Sequence, residues 1–102
     1  MPESKDALRL RLEAGERHFD SEEFDDFLHD LQHMDLEGVN FNKTFLLANF
    51  RGANLRGSEF IEANVKTCDF TGADLRRANF SGAAIDGAVF AAAKLEGANF
   101  QG

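Results

Sequence analysis

The chain reads as an all-β solenoid, a winding column of very short strands with four sides to each turn. Three observations lead there. From Ala48 to Gly102 the sequence runs in fives with no insertion, from Ala48-Asn49-Phe50-Arg51-Gly52 to Ala98-Asn99-Phe100-Gln101-Gly102. The middle position is apolar in every unit: Phe50, Leu55, Phe60, Val65, Phe70, Leu75, Phe80, Ile85, Phe90, Leu95 and Phe100. The position two before it is always small, as in Ala48, Ser58, Cys68, Ala78 and Ala98.

A period of five matches neither a helix face nor a flat strand. Positions two apart in an extended segment do point the same way. Each unit is therefore a short strand with one small and one large inward residue, and the Asn or Asp between them points out. The last two positions turn a corner, where Gly52, Gly57, Gly72, Gly82, Gly87, Gly97 and Gly102 supply a permissive backbone. A chain that repeats strand and corner must wind, and stacked units complete each other's core. Phe alternates strictly with Leu, Val or Ile, so the chemical period is ten. Three sides per turn would set Phe over an aliphatic residue; four set like over like. Phe50, Phe70 and Phe90 then form one ladder and Phe60, Phe80 and Phe100 the opposite one. Leu55, Leu75 and Leu95 form a third, and Val65 and Ile85 the fourth.

The stretch resembles the pentapeptide-repeat family, whose pattern is Ala-(Asp/Asn)-Leu-X-X. The resemblance covers about two thirds of the chain, and Phe at every second centre is its main departure. It implies a right-handed quadrilateral β-helix; the handedness comes from the resemblance alone.

Composition bounds the rest. The chain has 102 residues, one Pro, one Cys and a formal net charge of −7, and its aromatic content is eleven Phe. A single Cys forms no internal disulfide and implies no oxidising compartment. No apolar run nears the roughly 20 residues of a membrane span. Residues 1–20 are charged throughout, so no secretory leader is expected and a cytoplasmic location is the default.

Residues 4–14 are expected as a helix, with Ser4 as cap, Leu8 and Leu12 on one face and Gly15 as stop. The alternative is a strand using Leu8, Leu10 and Leu12. The following Gly15-Glu16-Arg17-His18-Phe19 is similar to a lead-in found in some members of the family, which implies Phe19 as a lid on the first coil. A second helix is expected from Ser21 to about Gln32, with Asp20 and Glu23 at its start and an apolar stripe of Phe24, Phe27, Leu28 and Leu31. As an N-terminal α-helical cap it would close the end of the column; the alternative is a partner-binding peptide. Residues 1–33 thus form a helical capping region and residues 34–102 the β-helix.

The five-beat extends back through Met34-Asp35-Leu36-Glu37-Gly38 and Val39-Asn40-Phe41-Asn42-Lys43, but Thr44-Phe45-Leu46-Leu47 is one residue short. Counting back by sides, a one-residue deletion at a corner keeps every residue type on its ladder. That gives about three and a half coils, roughly 16 Å of column at the inter-strand spacing. Phe45 and Leu47 then face outward, and the capping helix is expected to dock on them. At the other end Val89, Phe90, Leu95 and Phe100 are expected to leave apolar ladder ends and unpaired strand edges exposed. Such an end invites a homodimer or a continuation of the chain beyond Gly102.

Few residues suggest chemistry. His29 and His33 are four apart, a spacing that can hold a metal, but no third ligand is placed, and solvated histidines account for them. Cys68 stands at a small inward position and reads as an inert buried thiol. Asp69 and Asp74 replace Asn, and hydrogen bonds to neighbouring coils explain them better than acid–base catalysis. No enzyme, metal or cofactor is expected. Charge is unevenly placed: residues 1–35 hold eleven acids against four bases, and residues 36–102 hold seven of each. Arg56 lies beneath Arg76, with Arg77 adjacent.

The composition favours a non-catalytic interaction or scaffold module for an unknown protein partner, with no direct nucleic-acid binding and no membrane. The alternative is a DNA mimic acting on a type II topoisomerase such as gyrase, because the resemblance implies acidic, DNA-shaped inhibitors or protectors among its members. A neutral coil half the height of one duplex turn, about 34 Å, suits that role poorly.

Overall fold

Each five-residue unit is a single bridge followed by a corner, and in the middle coils its backbone donors are placed as in Ala53–Gly57. There the Ala53 N–H closes the preceding corner on the Phe50 carbonyl at 3.0 Å. Asn54 donates to Met34 O at 2.9 Å on one neighbouring coil, and Leu55 to Asp74 O at 2.8 Å on the other. Gly57 donates to Arg76 O at 3.0 Å. The remaining donor, Arg56 N–H, is taken by Asn54 Oδ1 at 3.2 Å. The same side-chain turn recurs at Asn49, Asn64, Asp69, Asp74, Asn79 and Asn99. Asn and Asp stand at the outward position because their oxygen reaches the N–H two residues on. Asp69 and Asp74 therefore close their own corners first, rather than serving mainly to bridge coils as the sequence suggested.

The second corner residue adopts the left-handed conformation. Gly52 has φ 67° and Gly57 φ 65°, and Thr67, Arg77 and Ala92 do the same at φ 64°, 62° and 58°. At Gly52 the backbone conformation favours glycine, and a Cβ there would have to displace the exposed His33 imidazole.

Parallel bridges set the register. Asn49 pairs with Asp69, Asn54 with Asp74, Glu59 with Asn79 and Asn64 with Ala84, each twenty residues on. The chain thus lies over itself after twenty residues. Phe50 stacks on Phe70 at 5.0 Å and Phe70 on Phe90 at 5.1 Å. Phe60 stacks on Phe80 at 4.7 Å and Phe80 on Phe100 at 4.9 Å. Between these ladders the rings meet edge to face: Phe60 and Phe70 lie 5.9 Å apart at 88°. Both arrangements suit the ring quadrupole. Phe50, Phe60, Phe70, Leu55, Leu75 and Val65 have no exposed surface. Ile85 and Phe90 are partly buried.

The structure describes residues 7–102 of this computed structural model, so the proposed Ser4 cap lies outside the described residues. Helix α1 spans Ala7–Glu13, with Leu8 and Leu12 buried and Leu10 59 % exposed. That burial follows a helical face; a strand would have sent all three leucines one way. Gly15, at φ 97°, lies just beyond the helix. Arg17 ties the helix end to the coil, donating to Leu12 O and Asp35 O, each at 3.1 Å.

The second expected helix is a strand. β1 spans Glu23–Asp30 and pairs in parallel with β2, Phe45–Asn49. Its apolar spacing imitates a helical stripe because Phe24 and Leu31 are the inward residues of two successive sides. Phe24 and Leu31 are buried, Phe27 is half-buried and Leu28 is 58 % exposed. β2 offered an unpaired strand edge, and tertiary pairing overrode local helical preference. No helix therefore docks on Phe45 and Leu47; β1 pairs beside them, and Phe45 stays 48 % exposed.

Phe19 is likewise a rung rather than a lid. It is fully buried and stacks on Phe41 at 5.2 Å, and Phe41 stacks on Phe60 at 5.6 Å. Pairing starts at His18, opposite Asn40, inside residues 1–33, expected to cap the column rather than belong to it. The first coil takes Phe19, Phe24, Leu31 and Leu36 inward, so the column is longer than the three and a half coils expected.

The one-residue deletion is visible in the register. Asp35–Asn54, Asn40–Glu59 and Phe45–Asn64 are nineteen apart, whereas pairs from Asn49 onward are twenty apart. The deletion opens the corner instead of tightening it. β2 runs straight through, with Leu46 and Ala48 buried and Leu47 half-buried between them. Along β1 the chain advances five residues, Phe24 to His29, while its partner advances two, Leu46 to Ala48. Three extra residues bow out there as a bulge.

Phe70, sealed between rings above and below, should lose about 3–5 kcal/mol of stability on truncation to Ala. Phe100, 39 % exposed, should lose much less. Denaturant titration of the two variants checks this; equal losses would contradict a stacked core.

Candidate functional site

Chemistry-bearing residues lie on the outside of the column, because the inward positions are filled by side chains. Cys68 and His29 are exceptions, and the surroundings of Cys68 quiet it. It is fully buried, its thiol donates to Leu46 O at 3.3 Å, and burial pushes its pKa up to about 11. A thiol so far from its thiolate is a poor nucleophile.

His29 and His33 do not face one another. The strand sends His29 inward, 5 % exposed, with its ring 5.9 Å from Phe24 and 5.2 Å from Phe27. His33 stands at an exposed corner against Gly52. The expected pair of solvated helical histidines is thus one core residue on β1 and one surface residue at the corner beyond it. No group of His, Cys, Asp or Glu able to hold a metal occurs among the described residues.

One corner gathers arginines. A cleft of about 200 Å³ is lined by Arg56, Arg76, Arg77 and Glu96. Asp74 lies between two of them: Arg76 Nη2 is 2.6 Å from its carboxylate and Arg56 Nε is 4.0 Å away. The Arg76 hydrogen bond is the chief reason that Asp74 is lowered to about 2. Asp69 is lowered mainly by the Thr71 hydroxyl, with Arg51 contributing at 3.3 Å. Each is a held carboxylate rather than a proton donor near neutral pH.

At the first coil Arg11 was not singled out by the sequence. Its guanidinium lies 4.7 Å above the Phe19 ring and 5.9 Å from Phe24. Glu16 and Glu22 bind it, and these hydrogen bonds raise its pKa. The charged head thereby covers a ladder end while remaining paired and wet. Only the fold brings Arg11 over Phe19; the one available signal was a base on a helix whose leucines face the core.

Two apolar surfaces remain. One is the opened corner, with Phe27, Leu28, Phe45 and Leu47 outward. The other is the last coil, where Val89 is 44 % exposed and Leu95 and Phe100 are each 39 % exposed, beside partly buried Phe90.

A family model for pentapeptide repeats, in eight copies, matches residues 30–76, 48–84 and 73–102. No curated protein matches the chain. Among solved structures, the chain is similar to alr5209, a pentapeptide repeat protein from Nostoc PCC 7120. Identity is 35 %, the TM-score is 0.74, and the match covers 87 % of this chain and 73 % of that one. HetL of Nostoc sp. strain PCC 7120, a protein involved in heterocyst differentiation regulation, is 28 % identical with a TM-score of 0.44. That match covers 68 % of this chain and 39 % of HetL. A pentapeptide repeat protein from the Arabidopsis thaliana thylakoid lumen is 24 % identical with a TM-score of 0.45, over 98 % and 68 % of the two chains.

Asp74 has its pKa lowered in the fold, so its stabilising effect is complete above the ordinary 3.8 and is lost as pH falls towards about 2. Asp69 acts in the same direction. The thermal midpoint should therefore drop across that window, and Asp74→Asn should make the drop shallower. An unchanged slope in the variant would contradict the assignment.

Proposed function

The chain belongs to the pentapeptide-repeat family, and from that premise we propose a non-catalytic interaction module that binds another protein on an outward face of its coil. In this reading the column is a right-handed, four-sided β-helix whose N-terminal end is closed by α1 and Arg11. The observation that carries it is the use of the interior. Rings and aliphatic side chains fill every inward centre of the middle coils, and the backbone donors are spent between coils. What is left to recognise a partner is the outer surface, whose shape is rigid and whose side chains vary. Repeat solenoids use such extended surfaces for binding.

The topoisomerase-directed alternative finds less support. Residues 36–102 are balanced at seven acids and seven bases, and Asp69 and Asp74 are already paired with arginines. Duplex DNA carries one charge per about 1.7 Å of axis, which this coil does not reproduce. The same net-negative chain is not expected to bind nucleic acid directly.

Affinity capture with the full chain, followed by reconstitution from purified components in a calorimeter, should yield a saturable complex with a single protein. If nothing recovered binds above a denatured-chain control, the module reading fails. A gyrase supercoiling assay should run unchanged in the presence of the protein; inhibition or protection would favour the DNA mimic.

A further inference from the structure

The coil needs four inward residues per turn, and in the first coil Phe24 and Leu31 already supply the two that flank the opened corner. β2 crosses that corner with three fewer residues than β1. The bowed segment of β1 is therefore not demanded by packing. It nevertheless carries Leu28, 58 % exposed, and half-buried Phe27, next to Phe45, 48 % exposed, and Leu47 on β2. Leu28 lies in water where a regular corner would have put a turn, and Phe45 lies in water at the outward position that other units give to Asn or Asp. In solenoids, insertions of this kind sit on one face and often mark the binding face. Bulges re-aim side chains in the same way.

The surroundings define what fits. No Lys or Arg occurs between Arg17 and Lys43. Glu23, Asp25 and Asp26 are exposed, and none of the ion pairs among the described residues uses them. Of the bases on α1, Arg11 is already held by Glu16 and Glu22, and Arg9 by Glu13 and the Asp30 carbonyl at the end of β1. An apolar patch within uncompensated carboxylates is complementary to an apolar patch within cations.

We infer that the bowed strand and the adjoining face of β2 are the docking site for a basic amphipathic segment of a partner protein. Its apolar side chains seat on Leu28 and Phe45, and its Lys or Arg side chains face Glu23, Asp25 and Asp26. This rests on the interaction-module reading and adds its location and the chemistry of its partner.

The full chain, isotope-labelled, is titrated with a short synthetic Lys/Leu amphipathic peptide, with Glu/Leu and Lys/Ser peptides as controls. Only the Lys/Leu peptide should bind, with amide shifts concentrated on Glu23–Asp30 and Phe45–Asn49. Leu28→Ser, an exposed position that leaves the core intact, should weaken binding about tenfold or more. Asp25→Asn with Asp26→Asn should do the same, whereas Glu37→Gln with Glu96→Gln, an equal charge change at the Arg56 and Arg76 corner, should not. Circular dichroism confirms that each variant remains folded. Binding of a control peptide equal to that of Lys/Leu, shifts centred on the last coil, or equal loss from both charge pairs would overturn the site. A native partner that binds the Leu28 and Asp25/Asp26 variants undiminished would also overturn it, while leaving the module reading standing.

Discussion

Every five residues, this backbone has five N–H groups to satisfy within one short side and one corner. Two go to one neighbouring coil, one goes to the other, one closes the turn, and one goes to a side-chain oxygen. The last of these is why the outward position is so often Asn or Asp. A buried or half-buried donor left over at each corner would cost on the order of 1–3 kcal/mol, and there are many corners. The repeat is thus a hydrogen-bonding solution first; the apolar ladders inside it exploit a spacing that the backbone has already imposed.

Stacking at that spacing is what makes Phe suitable. Coil-to-coil steps of 4.7 to 5.6 Å place rings face to face along a ladder, while adjacent ladders meet at nearly right angles. The interior is therefore a herringbone of rings with small residues between them, Cys68 among these. Such a filling leaves no room for a substrate or cofactor in the middle coils, and recognition is driven to the surface. There the charges sort themselves: arginines and aspartates pair along the coil, whereas Glu23, Asp25 and Asp26 of the first coil enter no ion pair among the described residues.

Regularity fails at one corner, and the failure is shared by two coils. β2 lacks a residue and runs straight; β1 carries three more than β2 across the same corner and bows. Neither has a left-handed residue there, although corners on either side do, at Ser21, His33, Lys43 and Gly52. The sequence showed the missing residue after Thr44 because a strict rhythm makes a gap audible. It hid the surplus in β1, where the seven-residue step from Phe24 to Leu31 fits two turns of helix as well as one bulged strand. Local pattern could not choose between them. The choice fell to an edge: the β2 backbone had donors and acceptors to offer, and a helix on β1 would have left them unpaired.

Period and ladder composition were legible in the residues, because a repeat states its own contacts: Phe50 must meet Phe70 if units are equivalent. The same equivalence placed Cys68 inside and Asp74 outside. It said nothing of residues 7–33, where no unit repeats another, and so the placement of Phe19 in the ladder, the burial of His29 and the seating of Arg11 over a ring came only from tertiary pairing. Those positions are fixed by what lies one coil away, and a sequence records its near neighbours in space only when it repeats them.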